Sequence, residues 1–482
     1  MNKIYKVIWS KVKNSYVVVP EITDSCGKSS GRGGVGLRAL LCAMVLAGGV
    51  SLPLGTVHAT NPGGTGNGVA WGAGSESGTD QHNVAIGGYA KALGEVALSL
   101  GAHSQSTGRY STAVGGGSHA TATNAAAIGP WSKATAANAV AVGATSNASA
   151  EYAMAVGGDS MASAKNALAL GAKANASKNE SVAIGAQAVS AGEYAAAIGG
   201  GANAAKKHAI AIGSLSKAQN EASLAVGNNA VASNDYAYAI GGSSKASGKW
   251  SIAMGTNAVA NNEAGVAIGT WAESAAGHAT AIGYNSHAKA IGSTALGRLS
   301  NVTTVDGTAI GSSTSVTGLN GTAIGNKAKV TAKNGLAIGN EAKAENENAV
   351  AIGAGSETAA VEKTPSATIN GTVHNFAGAN PGSTVSVGKA GAERTITNVA
   401  AGRLSATSTD AINGSQLYAV TKEMDKGVVY AGDVKAAGAA DNKFTQKLGA
   451  QTNVVGGVAD ESKLSDNNIG VVSNGRNTLN VK

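Results

Sequence analysis

The sequence predicts an all-β solenoid, a parallel β-roll of fourteen-residue rungs. Two observations carry that prediction. One glycine recurs every fourteen residues from Gly87 to Gly353, twenty glycines at equal intervals. The residue before each is a medium apolar one (Ile86, Leu100, Val114, Ile128, Met254, Ile352), and the residue two before is alanine in all but one unit, Ser99 being the exception. A short fixed period means one small unit stacked on copies of itself. Apolar, small, apolar is the period-two alternation of a strand, and β-branched residues suit a pleated surface.

The first element of each rung is therefore a strand such as Asn83-Val84-Ala85-Ile86, closed by its glycine. The series Gly87, Gly101, Gly115, Gly129, Gly143, Gly157, Gly171, Gly185, Gly199 and Gly213 marks turns where a side chain would clash or φ must be positive. The second element is a shorter strand. Ala, Ser or Thr stands three after every glycine (Ala90, Ser104, Ser118), and a small residue or Val stands five after it (Ala92, Ala120, Val302). Two strands and two turns fit in each rung. Parallel stacking at roughly 4.8 Å gives a rod of roughly 95 Å over the twenty rungs. A rung this short encloses one layer of Ile/Val and Ala/Ser. The expectation is that alanine faces stay exposed, that small residues on a face permit close packing of another rod, and that identical chains associate to bury it. A helical solenoid is the competing reading; a helix-weakening glycine in every unit and turn-forming Asn, Ser and Gly between units speak against it.

Residues 1–59 read as an extended signal peptide. Arg32 and Arg38 precede an apolar run from Leu40 to Val50, and Val57-His58-Ala59 supplies small residues for cleavage after Ala59. The apolar run is shorter than the ~20 residues of a membrane-spanning helix. Both cysteines, Cys26 and Cys42, fall in this leader, so the chain beyond it has no disulfide framework and no zinc–cysteine site. The leader holds seven basic and two acidic residues and so carries most of the net charge of +8. No basic stripe remains, and nucleic-acid binding is not expected.

Residues 60–360 form the repeat region. After Gly353 the period stops, and residues 361–393 read as a terminal insert in which Val385-Ser386-Val387-Gly388 echoes the repeat at the wrong interval. Residues 394–426 follow, with Thr409 or Asp410 as the expected helix N-cap. Leu417, Val420 and Met424 have the spacing of a short coiled-coil seam; an amphipathic helix packed on its own chain fits the spacing equally. Gly427 ends the helix. Residues 427–482 show short β runs, as around Phe444 and Thr478-Leu479-Asn480-Val481, and read as a small, incomplete β module.

No catalytic constellation emerges. His119, His208 and His278 lack partners at metal-ligand spacing, and His278 and His287 lie nine apart. Glu151, Glu193, Asp235 and Glu263 fall in turns, so a catalytic pair would have to form across rungs. Gly115-Gly116-Gly117 and Gly199-Gly200-Gly201 lack the helix and Lys-Ser/Thr of a phosphate loop. Trp131, Trp250, Trp271, Tyr89, Tyr110, Tyr152, Tyr194, Tyr236 and Tyr284 are the large residues of the repeat; they read first as edge or seam covers and second as partner anchors. No enzyme activity, cofactor or metal is expected.

Taken together, Met1 to Ser30, the Asn-x-Val-Ala-Ile-Gly repeat and Ile396-Thr397-Asn398-Val399-Ala400-Ala401-Gly402 with Thr409-Asp410-Ala411-Ile412-Asn413 and Gln416-Leu417 resemble the trimeric autotransporter adhesins of Gram-negative bacteria, the YadA-like type Vc family. The resemblance implies a left-handed roll, a homotrimer, and a neck carrying Asn398, Val399, Gly402, Asp410, Asn413, Gln416 and Leu417 that leads into a trimeric coiled coil. It also implies export through the inner membrane, display at the outer membrane, and adhesion to a host matrix protein or cell-surface receptor. The alternatives are a spacer rod presenting another binding domain, and an ice- or carbohydrate-binding solenoid. Thr280, Thr294, Thr308 and Thr322 form too short a threonine column for an ice face. The family's membrane-anchoring barrel, with its long alternating strands, is expected to be missing from this chain, which would then be a truncated product.

Overall fold

The computed structural model describes residues 5–10, 15–20, 68–456, 460, 462 and 471–481. The signal segment and the cleavage site at Ala59 lie outside these residues. The chain divides into two units, Met1–His58 and Ala59–Lys482. In the first, Tyr5–Ser10 pairs antiparallel with Ser15–Pro20.

The second unit is a β-solenoid. Each rung contributes a three-residue strand, as in Val182–Ile184, and a two-residue strand, as in Val189–Ser190. Each strand pairs in parallel with its copy fourteen residues away: Val182 with Ala196, Ala183 with Ala197, Ile184 with Ile198, and Val189 with Asn203. The first turn of the rung follows the repeat glycine, and the second follows the two-residue strand.

The repeat glycines are required twice over. Gly185 sits at φ +127°, and a Cβ there would lie 2.6 Å from both the carbonyl carbon and oxygen of Gly199 in the next rung. The same approach recurs along the column, so every rung rests on the bare glycine of its neighbour. A side chain would both push the rungs apart and strain the backbone.

The interior differs from the sequence expectation. The alanine two before each glycine points inward and is wholly buried, as at Ala85, Ala141, Ala183 and Ala351. The flanking Ile, Val and Leu point outward and stay partly exposed, as at Val182, Ile184, Ile198, Ile212 and Ile352. Alanine therefore forms the inside, and the larger aliphatics form an outer stripe. The two sheets lie too close for more than a methyl or a hydroxymethyl from each side. The largest fully buried side chains are Val302, Val316 and Val330, and their volume is matched by glycines at 307, 321 and 335. A Cβ on those glycines would fall 2.6, 2.7 and 2.9 Å from a valine Cγ1.

Serine serves the same interior because its hydroxyl has a local partner. Ser104 Oγ donates to Gly101 O at 2.7 Å in the first turn, and Ser111 Oγ donates to Gly108 O at 2.6 Å in the second. Many buried hydroxyls are thus satisfied within their own turn, while those of Ser190, Ser274 and Ser300 donate to carbonyls five to nine residues on and those of Ser77 and Ser247 have no partner among the described residues.

Beyond Gly353 the ladder gains another rung. Val385–Ser386 pairs in parallel with the strand Val350–Ile352, Val350 opposite Val385 and Ala351 opposite Ser386. The off-interval echo is a rung postponed by an insertion. That insertion holds an antiparallel hairpin, Ser366–Ile369 with Thr372–Asn375. Further on, the helix Gly414–Asp425 has no buried residue, so its apolar side chains are not covered by its own chain. Its N-cap is Asn413, not Thr409 or Asp410: Asn413 and Gln416 form a reciprocal capping box. Gly427 follows at φ +68°. The C-terminal segment has Val428–Ala431 antiparallel to Lys443–Gln446, and a four-stranded sheet of Val434–Lys435, Val471–Ser473, Thr478–Val481 and Asn453–Val455.

Candidate functional site

Two regions position chemistry-bearing side chains: the surface of the solenoid, and the segment that leads from its end into the helix.

On the solenoid, residues two after each repeat glycine, and nine after each but Gly353, adopt the left-handed conformation. Tyr89, His103, Trp131 and Lys173 stand in the first column; Tyr110, Asn124, Tyr152, Tyr194, Tyr236 and Trp250 stand in the second. This conformation aims each backbone N–H at the rung before. Tyr110 N–H donates to Glu95 O, and His103 N–H to Gly88 O, both at 2.8 Å. The side chains then project from the two edges. Trp131 is 62% exposed and Tyr152 53%.

Along these edges like positions stack at one-rung spacing. Tyr89 stacks on His103 with ring centres 5.1 Å apart, and Tyr194 on His208 at 5.3 Å. Asn320 donates to Asn334 and Asn334 to Asn348 at 3.2 and 2.9 Å. Opposite charges also meet across rungs: Glu95 with Arg109 at 2.7 Å, Glu151 with Lys165 at 3.1 Å, and Lys327 with Glu341 at 3.0 Å. Glu151 thus meets a lysine rather than a second carboxylate. His287 faces Glu273 at 3.7 Å. Among the described residues no group of three His, Cys, Asp or Glu is placed to hold a metal ion.

The end of the ladder is closed by Arg394, which sequence reasoning missed. Its guanidinium lies over Gly353, 3.1 Å from where a Cβ would stand, in the space that the next rung's glycine fills elsewhere. Nη1 donates to Ser356 Oγ at 2.8 Å and to Val387 O, and Nη2 donates to Ala354 O. A shallow hollow of about 460 Å³ beside it is lined by Glu357, Thr384, Ser386, Lys389 and Glu393.

The following segment forms a clasp on the helix N-terminus. Asn413 Nδ2 donates to Val399 O at 3.0 Å. Gly402 N–H donates to Gln416 Oε1 at 2.9 Å, and Gln416 Nε2 donates back to Gly402 O at 2.6 Å. Gly402 is needed there because a Cβ would fall 2.3 Å from Ala411 O. Arg403 grips Asp410 with Nε at 2.8 Å, Nη2 at 3.0 Å and its backbone N–H at 3.0 Å. The Arg403 side chain, then its backbone N–H, hold the Asp410 carboxyl below its usual range. So Val399, Gly402, Asp410, Asn413 and Gln416 are brought together. Asn398 lies beside them at φ +61°. Leu417 is not part of the clasp; it is exposed, as are Val420 and Met424. Arg403 was legible only as an arginine seven residues before an aspartate.

Comparison with known proteins gives the following matches. Residues 1–49 match the extended signal peptide of the type V secretion system. Residues 395–440 match the coiled stalk of trimeric autotransporter adhesins. Matches to the YadA head domain repeat run from residue 92 to 356 and together occupy more than half of the chain. The autotransporter adhesin BtaE of Brucella suis is 54% identical over 95 residues, which is 20% of this chain and 12% of that protein. The C-terminal YadA-like domain of a Burkholderia pseudomallei protein is 50% identical, covering 20% of this chain and 48% of that one, with a TM-score of 0.20. The collagen-binding domain of the Yersinia adhesin YadA is 29% identical, covering 37% and 86%, with a TM-score of 0.26. The chain thus spans about an eighth of the length of the curated relative and about half of the Burkholderia domain.

Proposed function

The chain belongs to the YadA-like trimeric autotransporter adhesins, and we propose that it acts as a homotrimeric adhesin head that attaches its bacterium to host cells or extracellular matrix. The observation that carries this reading is the outward pattern of the solenoid. Most rungs present the same arrangement: an aliphatic residue just before the repeat glycine, joined in many rungs by a second two residues earlier, on one face; a mainly polar short strand on the other; and projecting side chains at the edges. The aliphatic stripe calls for cover by identical neighbours. The polar face then offers one weak contact many times over, and multiplied weak contacts give firm attachment through effective concentration.

The rest of the reading follows from that division of surfaces. Residues 1–59 direct export and are removed after Ala59. The rungs form the head, residues 394–426 the neck, and residues 427–482 a stalk module. The helix seam Leu417, Val420 and Met424 gathers three chains into a coiled coil. The protein works by binding at the cell surface, without catalysis, cofactor, metal or nucleic acid. Its ligand is a matrix protein or a cell-surface receptor.

The experiment is a solid-phase binding assay of the purified secreted chain against matrix proteins and host cells. Saturable binding to a matrix protein or a host cell supports an adhesin. No saturable binding to any matrix component or cell would overturn it and leave a spacer rod.

A further inference from the structure

A longer period runs beneath the fourteen-residue one. In the second-turn column, Tyr110, Tyr152, Tyr194 and Tyr236 stand forty-two residues apart, one every third rung. Six residues after each comes a second glycine beside the repeat glycine: Gly116, Gly158, Gly200 and Gly242. The tyrosines lie on one edge of the solenoid and the glycines in the turn on the opposite edge.

The fold of the chain itself accounts for these residues only in part: Tyr194 stacks on His208 with ring centres 5.3 Å apart and the Arg109 guanidinium lies 4.7 Å over the Tyr110 ring, contacts that neither set the forty-two-residue interval nor call for a glycine on the opposite edge. The tyrosines occupy left-handed backbone at φ 59, 58, 57 and 54°, a conformation that costs a bulky residue roughly 1–2 kcal/mol and that asparagine or glycine adopts more easily. These residues are 38–53% exposed. The glycines have no left-handed φ. A Cβ on Gly116, Gly158 or Gly200 would meet nothing closer than 3.7 Å, and on Gly242 nothing within 4 Å. Other rungs carry Pro130, Asn228, Tyr284 and Arg298 at that same position. A large residue is therefore allowed where glycine recurs.

We propose that the tyrosines and paired glycines are the axial register key between copies of this chain, each tyrosine of one copy seating over the bare turn of the next. The occupant of both edges is a second copy. In a ring of copies around an axis parallel to the solenoid, one edge of each copy meets the other edge of its neighbour, and like residues lie at equal height. Tyrosine and glycine share a rung, so they differ in height by less than one rung spacing of ~4.8 Å. Knob and notch then meet level, and a slip of one or two rungs puts the tyrosines against side chains, save that a two-rung slip in one direction sets Tyr110 against Gly88. Only a slip of three rungs restores the match. The next forty-two-residue step keeps the complementarity with sides exchanged. Tyr284 stands on the glycine edge and Gly277 next to the tyrosine edge position, and a Cβ on Gly277 would meet nothing closer than 3.8 Å. The fourteen-residue period alone leaves sliding copies degenerate. This inference rests on the closed-ring reading above.

The test uses the full chain in a Cys26→Ser/Cys42→Ser background. Tyr194→Cys with Gly200→Cys, treated with a short bismaleimide, is expected to join three copies covalently, whereas either cysteine alone joins none. Tyr194→Cys with Asn228→Cys, two rungs or roughly 10 Å higher, is expected to link at least tenfold less. Separately, Gly200→Leu with Gly242→Leu should leave the circular dichroism of the solenoid unchanged and lower the sedimenting mass. Equal linking of the two cysteine pairs, or unchanged mass with the leucines, overturns the key. If the unsubstituted chain sediments as a folded monomer, the ring reading itself fails; if it sediments as a trimer that Tyr194→Cys/Gly200→Cys does not link, only the register key fails.

Discussion

Val330 and Gly335 offer a quantitative test of the close-packed interior. A Cβ on Gly335 would sit 2.9 Å from Val330 Cγ1 and 3.3 Å from Ala344 Cβ. Carbon atoms prefer ~3.5–4.0 Å, so Gly335→Ala overpacks the rung at a cost of about 2 kcal/mol. Val330→Ala removes two buried methyl groups, each worth about 0.8 kcal/mol, and with its cavity also costs about 2 kcal/mol. Independent effects would give about 4 kcal/mol in the double variant. The new methyl at 335 instead enters the space vacated at 330, leaving a cost of about 1 kcal/mol and a coupling of about −3 kcal/mol. The assay is denaturant unfolding at fixed protein concentration, with amide exchange across residues 329–344 as the local readout, because a linear array can open rung by rung. Additivity within about 0.5 kcal/mol would refute the claim that these residues share one interior volume.

Three further outcomes are expected. Gly185→Ala should destabilise the ladder by about 2–5 kcal/mol through overpacking and left-handed strain, read as lost amide protection between residues 184 and 199; intact protection would contradict the rung contact. Ile184→Asp with Ile212→Asp should leave the solenoid folded and reduce its sedimenting mass at micromolar concentration, and an unchanged mass would remove the outer stripe as the seam. The clasp of Arg403 on Asp410 should depend on acid. Asp410 is depressed by Arg403, so its contribution is present above the ordinary carboxylate range and is lost as pH falls through the depressed value. Exchange of the Arg403 amide should accelerate over that acid window in the native chain and be fast at neutral pH in Asp410→Asn; identical profiles would refute the clasp.

Much of this architecture was legible because a glycine every fourteen residues admits few structures. The turns, the two strands per rung and the need for a bare Cα all follow from it. The sidedness did not follow. Alternation specifies two faces without saying which is inside, and exchanging them leaves the pattern intact. General hydrophobicity favours burying Ile184 over Ala183; the chain does the reverse because the enclosed space admits only small groups. The volume clue was present in Val302, Val316 and Val330, each followed five residues later by glycine. The N-cap was readable too: Asn413 has a glutamine three residues on and Thr409 does not, which is the capping-box signature. Arg394 was not readable, since its partners Ser356 and Ala354 lie 38 and 40 residues away and only the closure of the ladder brings them near. The forty-two-residue period was hidden by the stronger one beneath which it runs.

The inverted interior also explains why head and helix ask for the same kind of cover. Packing alanine against alanine removes little apolar area per rung, so the ladder leans on its hydrogen bonds, each worth about 1 kcal/mol net. The apolar area that normally stabilises a domain is on the outer stripe instead, where covering each half-exposed Ile, Val or Leu would add roughly 1 kcal/mol. The helix repeats this choice, with Leu417, Val420 and Met424 outward and no buried residue. One chain thus leaves two apolar seams open, and the clasp of Asn413, Gln416, Gly402, Arg403 and Asp410 joins the two segments locally. A partner that covers one seam is thereby held near the other, so assembly at either end raises the effective concentration for assembly at the other. Identical copies meet that demand directly, since every copy brings both seams joined through the same clasp.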